Sequence, residues 1–334
     1  MDMKKWVADQ IAAERKTPLP VLSFPAIQKM GITVAELIND TKKQAEAMKI
    51  IADSFPTAAS VSFMDLSVEA EAFGSKIVVT DEEVPTVVGS IVDEDTDPDD
   101  VAVPEVGAGR TGLYIQAIRE VAPLITDRPV LAGVIGPFSL TGRLMDVNEV
   151  MPMCYEDPEL VHAILEKATG FILEYVKAFK EAGADGVVVA EPMAGLLSPE
   201  LMGEFSAPYV KRIVDAVQDD QFAVVLHDCG ASVVKGHKET FAAGAAAYHF
   251  GNAIDMADMM PLVPEGVVAM GNIDPAGEIR NGTPESVRAA TLKLMESCAK
   301  YPNFIPSTGC DVPPLAPWEN IQAFFDAVNE YYEK

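Results

Sequence analysis

The stretch that decides the fold lies at residues 185–229 and reads DGVVVAEPMAGLLSPELMGEFSAPYVKRIVDAVQDDQFAVVLHDC. It opens with a short run of β-branched apolar residues, which is typical of a buried strand. Ser198 and Pro199 then begin a helix, because serine is a preferred cap and proline is favoured in the first turn. A second apolar run begins at Phe222 and ends with His227 and Cys229. The stretch therefore predicts one strand–helix–strand unit of a parallel sheet.

Units of this kind continue in both directions along the chain. Six strand–helix units follow one another from residue 129 to the C-terminus, and two more strand candidates lie upstream. Eight such strands fit a closed barrel better than an open, doubly wound sheet, and no glycine-rich dinucleotide-binding motif follows the first strand. We therefore predict an α/β fold, a single (β/α)8 TIM-barrel domain over residues 1–334, with an N-terminal helical extension and a β-hairpin insertion near residues 76–103. The predicted strands lie at 20–26, 58–66, 129–137, 185–192, 222–229, 246–252, 266–274 and 304–312.

The composition limits the classes of function. The chain has 51 acidic and 25 basic residues, and the resulting net charge of -26 argues against binding to nucleic acid or to an anionic membrane. The first residues contain no apolar stretch long enough for a signal peptide, and no run approaches the roughly 18 apolar residues of a membrane span. We therefore expect a cytoplasmic protein. The four cysteines do not suggest a disulfide framework, so any that matter are expected to serve in thiol chemistry or metal binding.

Three potential metal ligands end predicted strands. His227 and Cys229 lie two residues apart on the fifth strand, so their side chains point to the same side, with Cα atoms about 7 Å apart. Cys310 ends the eighth strand, and barrel enzymes carry their active sites at this C-terminal end of the strands. One histidine and two cysteines are a suitable set for a catalytic zinc ion with one open position. The alternative is structural, with two buried cysteines and a histidine at the edge of the core.

Several motifs of this chain resemble a known family. They are LHDCG at 226–230, GNIDP at 271–275, GADGVVVAEPMAG at 183–195, GVIGPFSL at 133–140 and GCDVPPLAPWENIQAF at 309–324. Together they resemble the uroporphyrinogen decarboxylase superfamily and, within it, the branch of zinc-dependent methylcobalamin:coenzyme M methyltransferases. The resemblance runs in order over most of the chain, from near residue 20 to the C-terminus.

The resemblance implies a mechanism and a set of site residues. Members of this branch carry an H-x-C…C zinc motif on a (β/α)8 barrel, which here is formed by His227, Cys229 and Cys310. The metal activates a substrate thiol, because a neutral thiol is too weak a nucleophile to accept a methyl group from a methylated corrinoid. Glu191 is assigned as an acid beside the zinc or a ligand to it, and Asp65 as the equivalent of the decarboxylase's catalytic aspartate. Arg110 and Arg143 are the candidate cations for an anionic acceptor tail such as a sulfonate. The fourth zinc position is assigned to Asn252, His249 or a water. The alternatives are a plain loop carboxylate for Glu191 and a surface ion pair for either arginine.

Three classes of function remain open at this point. The first is the methyltransferase, with a corrinoid protein as methyl donor and coenzyme M, another small thiol or tetrahydrofolate as acceptor. The second is a tetrapyrrole enzyme like the decarboxylase, which grips a substrate with eight carboxylates through an arginine-rich stretch, whereas here Arg15 is the only arginine before Arg110. The third is a non-catalytic barrel that binds a corrinoid or tetrapyrrole. The sequence does not fix the oligomeric state, for which a homodimer is one option.

Overall fold

A computed structural model describes residues 1–333 of the protein. Its strands are β1 (Ser60–Val61), β2 (Lys76–Val78), β3 (Thr86–Val88), β4 (Val130–Ile135), β5 (Gly186–Ala190), β6 (Ala223–Asp228), β7 (Ala247–Phe250), β8 (Val268–Ile273) and β9 (Phe304–Thr308). Seven of them form one parallel sheet in the order β1, β4, β5, β6, β7, β8, β9. The order along the sheet follows the order along the chain, as in an α/β barrel.

Helices separate most of the strands. They are α1 (Met3–Ala12), α2 (Ala26–Met30), α3 (Val34–Ile38), α4 (Thr41–Ser54), α5 (Val68–Ala72), α6 (Thr111–Val121), α7 (Pro137–Met145), α8 (Val150–Glu156), α9 (Pro158–Glu181), α10 (Pro199–Phe205), α11 (Ala207–Val217), α12 (His237–Ala242), α13 (Met256–Met259), α14 (Pro284–Cys298) and α15 (Trp318–Glu333). A π-helical turn, Pro275–Arg280, follows β8. None of the helices in residues 1–333 combines the length and the apolar character needed to cross a bilayer.

The strands of the sheet are buried on both faces. Every residue of β4, β5 and β6 is buried, which agrees with their continuous apolar runs. Val188 and Val225 pack in a cluster inside the barrel, while Val187 and Val224 pack with the surrounding helices. This alternation fixes which residues at the strand ends face the interior.

The first predicted strand, 20–26, does not form a regular strand. An extended segment takes its place between β1 and β9: Leu19 N donates to Pro306 O (3.0 Å), and Ala58 N donates to Pro18 O (2.8 Å). Pro18 and Pro20 lack the N–H groups that a ladder needs. Side chains supply further links, because Val21 N donates to Thr308 Oγ1 (3.2 Å). The segment bridges the two edges of the seven-stranded sheet and closes the barrel, so the predicted fold class is confirmed although the eighth strand is irregular.

The two predicted additions to the barrel are present. Helices α1 to α4 precede or flank the first strand, and β2 pairs antiparallel with β3, with Lys76 opposite Val88. The paired part of the hairpin is shorter than predicted, since the residues from Gly89 to Val103 contain only one short 3₁₀ turn, Pro98–Asp100. The assignment of residues 1–334 to a single domain stays a prediction.

Helix α1 covers the N-terminal end of the barrel. Met3 N donates to Asp220 O (2.8 Å), just before β6, and Trp6 Nε1 donates to Ala58 O (3.1 Å), just before β1. Both Met3 and Trp6 are buried in the cluster inside the barrel. The C-terminal ends of the strands therefore form the end at which a site can be built.

Candidate active site

Two histidines meet inside the barrel near the C-terminal ends of adjacent strands. His227 of β6 and His249 of β7 are partners in register, and both are almost completely buried. Their Nδ1 atoms lie 2.6 Å apart. The other ring nitrogen of His249 lies 2.8 Å from Ser307 Oγ on β9. The Nε2 atom of His227 is buried and has no hydrogen-bond partner among residues 1–333.

Burial keeps both imidazoles neutral. It lowers the pKa of His227 to about 4. The pKa of His249 lies well below its ordinary value, first because of burial and then because of the neighbouring His227. A neutral imidazole with a free nitrogen is the form that binds a metal ion. With both its ring nitrogens engaged, His249 is not free to take the fourth position at a metal.

Cys229 and Cys310 are free thiols, each only partly buried. Burial raises the pKa of Cys229 to about 11 and, aided by the charges of Asp311 and Cys229, raises that of Cys310 to about 12. Without a bound cation both groups are therefore protonated at neutral pH. Cys229 packs against Gly251, which also lies close to Gly309, the residue before Cys310, so the two strand ends lie side by side.

Gly251 allows this close approach. A Cβ atom built at Gly251 would lie 2.3 Å from Cys229 Cβ and 3.1 Å from Gly309 O, and one built at Gly309 would lie 2.6 Å from Asn252 N. Side chains at these two positions would therefore push apart the ends of β6, β7 and β9. The residues that follow the three strands pack together because two of them are glycines.

The donor set suits a zinc ion, although it is not preassembled. Within residues 1–333, no three histidine, cysteine or acidic side chains are grouped closely enough to form a ready metal site. The unpartnered Nε2 of His227 and the two unbridged thiols nevertheless supply the nitrogen and sulfur donors that zinc prefers. A buried polar atom without a partner carries an energetic cost, which a bound ligand would remove.

Glu191 lies at the C-terminal end of β5, as predicted, but its carboxylate anchors a helix. Because Ala190 faces the barrel interior, the next side chain points outward to the helices. Its Oε1 accepts from Phe138 N (2.9 Å), and its Oε2 accepts from the amide (2.9 Å) and hydroxyl (2.7 Å) of Ser139. These groups begin α7. The carboxylate thus positions the start of α7, and the expected role of Glu191 as an acid beside the zinc or a ligand to it stays a prediction.

Asp65 and Arg110 are engaged with each other. Arg110 Nη1 donates to Asp65 Oδ2, and its other nitrogens donate to Ser67 Oγ (2.8 Å) and Glu71 Oε2 (2.6 Å). Tyr114 OH also donates to Asp65 Oδ2 (2.9 Å). Both oxygens of Asp65 and the whole guanidinium are satisfied within the protein. The assignment of Asp65 and Arg110 to ligand binding stays a prediction, whereas the alternative of a surface ion pair is wrong for Arg110, because the network is buried.

Arg143 differs from Arg110 in having no acidic partner. It is partly buried on α7, and within residues 1–333 it makes no hydrogen bond or ion pair; burial alone lowers its pKa. Arg143 lies four residues after Ser139, on the same face of the helix. Ser139 contacts Glu191 and Met193 at the end of β5. Arg143, which makes no ion pair within residues 1–333, thus lies one helical turn beyond the residue that contacts the end of β5.

Asn252 is exposed and follows β7 directly. It lines a cavity of about 500 Å³ together with Asn272 of β8 and the charged residues Asp255, Asp274 and Lys293. The cavity adjoins the strand ends that carry the cysteines, since Asn252 packs against Gly309. Its assignment to the fourth zinc position stays a prediction.

Sequence analysis missed the partner of His249. Ser307 lies on β9, 58 residues away from His249, and no motif connects the two. The only available signal was the alignment of the predicted strands, because inward-facing residues at the same height of a barrel lie in one layer.

Comparison with known proteins agrees with this fold. The family model for uroporphyrinogen decarboxylase (URO-D) matches residues 21–331. Among solved structures, a methyltransferase from Methanosarcina mazei has a TM-score of 0.85 at 22% identity, over 99% of both chains. A B12-independent methionine synthase from Shewanella sp. W3-18-1 has a TM-score of 0.58 at 14% identity, over 96% of both chains. These two structural likenesses show the fold alone.

Curated relatives include both activities of the family. Methylcobamide:CoM methyltransferase MtbA from Methanosarcina mazei is 29% identical over 271 residues, 80% of this chain and 78% of that protein. Methylated-thiol–coenzyme M methyltransferase from the same organism is 28% identical over 273 residues, 80% of this chain and 71% of that protein. Uroporphyrinogen decarboxylase from Alcanivorax borkumensis is 26% identical over 294 residues, 84% of this chain and 81% of that protein. The family predicted from the sequence is confirmed: the chain belongs to the uroporphyrinogen decarboxylase family.

Proposed function

We propose that this protein is a zinc-dependent methyltransferase that moves a methyl group from a methylated corrinoid protein to a small thiol such as coenzyme M. The observation that carries the proposal is the buried Nε2 of His227, which has no hydrogen-bond partner within residues 1–333, with Cys229 two residues further along the chain. The relatives that are methylcobamide:CoM and methylated-thiol–coenzyme M methyltransferases support it.

His227, Cys229 and Cys310 are the residues that would hold the zinc. Two thiolates and a neutral imidazole balance the charge of Zn²⁺, so an incoming substrate thiolate keeps much of its electron density. When bound, zinc makes the substrate thiol a thiolate at neutral pH, which is the nucleophile for methyl transfer. The protein's own contribution is to keep His227 neutral by burial and to bring Cys229 close to Gly309, the residue before Cys310, across Gly251.

Arg143 is the residue proposed to bind the acceptor's anionic end. Its guanidinium has no acidic partner within residues 1–333, so its donors are free for a sulfonate, carboxylate or phosphate. Glu191 fixes the start of α7 and thereby the position of Arg143 on the next turn. Through this contact Glu191 acts on acceptor binding without touching the acceptor.

The other candidate functions have less support. A decarboxylase would hold its polyanionic substrate through an arginine-rich stretch, whereas Arg15 is the only arginine before Arg110 in this chain. Tetrahydrofolate as acceptor stays open, because it also carries carboxylates that Arg143 would bind. A cytoplasmic location and a homodimer stay predictions from the sequence, and the mechanism depends on neither.

Metal analysis and a methyl-transfer assay test the proposal. We expect about one zinc per chain in protein purified without added metal, and thiol-dependent demethylation of methylcobalamin in a panel of coenzyme M, other thiols and tetrahydrofolate. Cys310→Ala should lose both zinc and activity. Cys154→Ala is the matched control, because Cys154 is buried in α8, away from the strand ends.

The outcomes separate the candidate functions. Protein without stoichiometric zinc would contradict the methyltransferase proposal. Zinc binding without demethylation by any acceptor of the panel would favour the non-catalytic barrel. Activity with tetrahydrofolate and not with thiols would move the proposal to the other acceptor.

A further inference from the structure

A chain of hydrogen bonds leads from the closing segment of the barrel to His227. Ser307 Oγ donates to Leu19 O (2.6 Å). His249 Nε2 lies 2.8 Å from the same Ser307 oxygen, and His249 Nδ1 lies 2.6 Å from His227 Nδ1. His227 Nδ1 also lies 3.3 Å from the backbone oxygen of His249. All four residues are almost completely buried.

The positions of the protons follow from both ends of this chain. Leu19 O can only accept, so Ser307 donates its hydroxyl proton to it. Because this proton is used, Ser307 Oγ acts as the acceptor towards His249, which donates from Nε2–H. A neutral His249 then has a lone pair on Nδ1, which accepts from His227 Nδ1–H. The backbone oxygen of His249 favours the same proton position, because it too can only accept, but its contact of 3.3 Å is long and therefore weaker. His227 therefore has its proton on Nδ1 and a lone pair on Nε2.

We propose that Ser307 and His249 are positioning residues that fix the tautomer of His227, so that its unpartnered Nε2 is a preformed acceptor for a metal ion. The inference rests on the proposed function only for the identity of the ion. Hydrogen bonds to the outer nitrogen of a ligating histidine fix the orientation of the ring and raise its basicity. An imidazole serves as this outer partner here, while a carboxylate or a backbone oxygen is more usual.

The first test needs no zinc and no activity. Metal-free protein labelled with ¹⁵N in its histidines is analysed by long-range ¹H–¹⁵N correlation, which distinguishes protonated from unprotonated ring nitrogens. The chain has only four histidines, so single substitutions assign the signals. We expect a protonated Nδ1 and an unprotonated Nε2 for His227, and the reverse for His249. A His227 ring protonated on Nε2 would overturn the inference.

Variants test the two positioning residues separately. His249→Leu removes the acceptor for His227, and Ser307→Ala removes the acceptor for His249. Both should give mixed tautomers at His227 and weaken zinc binding, measured by chelator competition, by about 10- to 100-fold. His249→Asn offers a carboxamide oxygen close to the place of Nδ1, and it should restore the single tautomer and most of the affinity.

The control and the outcomes keep this inference distinct from the proposed function. His237→Leu changes a histidine whose Nδ1 contacts only Val234 O, and it should leave both readouts unchanged. Should His249→Leu not fold, Ser307→Ala and the wild-type spectrum still decide. Unchanged tautomer and affinity in Ser307→Ala would overturn the role of Ser307. The predicted tautomer in a protein that binds no zinc would leave the inference standing and remove the proposed function.

Discussion

Asp65 and Arg110 form a buried ion pair beside the end of β1, in which Arg110 Nη1 donates to Asp65 Oδ2. The side chain of Arg110 is 6% exposed, and that of Asp65 is fully buried. Glu71 and Tyr114 complete the network around the pair. The guanidinium of Arg110 compensates the charge of a carboxylate that water does not reach. The main contribution of Arg110 is therefore to the stability of the protein.

Replacing Arg110 with methionine should therefore destabilise the protein strongly. The change leaves Asp65 buried without its partner, and breaking a buried ion pair in this way costs about 3–5 kcal/mol. Urea denaturation of both proteins gives the free energy of unfolding. Arg212→Met is the control, since Arg212 and Glu166 pair on the surface with side chains about half exposed. Its cost should stay below about 1 kcal/mol, and equal costs for the two variants would contradict the prediction.

Glu69 should make the protein less stable as the pH rises. Burial raises the pKa of Glu69 to about 7, with Asp65 raising it further and Arg110 lowering it. Its Oε1 accepts from Ile135 N (3.0 Å), while its Oε2 has no partner. The folded protein thus keeps a proton that the unfolded chain loses near its ordinary value of 4.5. Between these two values the folded state binds more protons, so the free energy of unfolding falls with increasing pH.

Comparing wild type with Glu69→Gln isolates this contribution. Glutamine keeps an acceptor for Ile135 N and does not titrate. Between pH 5 and pH 8 the wild type should lose roughly 2 kcal/mol more free energy of unfolding than the variant. Other buried carboxyls, such as that of Asp311, titrate in both proteins and cancel in the difference. The prediction is wrong if the two denaturation profiles run parallel over this range.

Most of the fold could be predicted from the sequence because each strand is a compact apolar run bounded by clear helix signals. Helix α9 begins directly after Asp157, whose side chain caps it, and it ends shortly before Gly183, a typical residue at the end of a helix. The exception is the first strand, where Pro18 and Pro20 remove the donors of a regular ladder. An apolar run shows that a segment is buried, but it does not show whether hydrogen bonds form along it.

The site was less predictable, because a residue's role depends on partners that are distant in sequence. His227 and Cys229 follow from strand parity, a local property. Arg110 and Arg143 look alike in the sequence, yet one is neutralised by Asp65, 45 positions away, and the other makes no ion pair within residues 1–333. Glu191 is a similar case, because its acceptors are filled by amides of a helix that begins 54 residues earlier.

A methyl group added at Gly251 should impair metal binding as well as stability. Gly251→Ala would place a Cβ 2.3 Å from that of Cys229, and overpacking of this kind costs about 1–3 kcal/mol. Since the strain falls on a proposed ligand, we expect zinc affinity to fall about tenfold or more. Gly170→Ala in α9 is the control, because nothing lies within 4 Å of the added atom. It should raise the free energy of unfolding by about 0.5–1 kcal/mol and leave zinc binding unchanged. Normal zinc affinity in Gly251→Ala would contradict the proposed role of Cys229.

Removing the charge of Arg143 should impair the use of anionic acceptors specifically. Hydrogen bonds to charged groups contribute about 1.5–3 kcal/mol, so Arg143→Ala should raise the KM for an anionic thiol about tenfold to a hundredfold. The KM for an uncharged thiol of similar size, such as 2-mercaptoethanol, should change little, because it offers nothing for the guanidinium to bind. Arg119→Ala is the matched control, since Arg119 is exposed on α6 and contacts only Gln116. Equal effects of Arg143→Ala on the KM values of both thiols would indicate that Arg143 supports the structure of the protein and does not bind the acceptor. In that case Glu191→Gln should also change the two KM values equally.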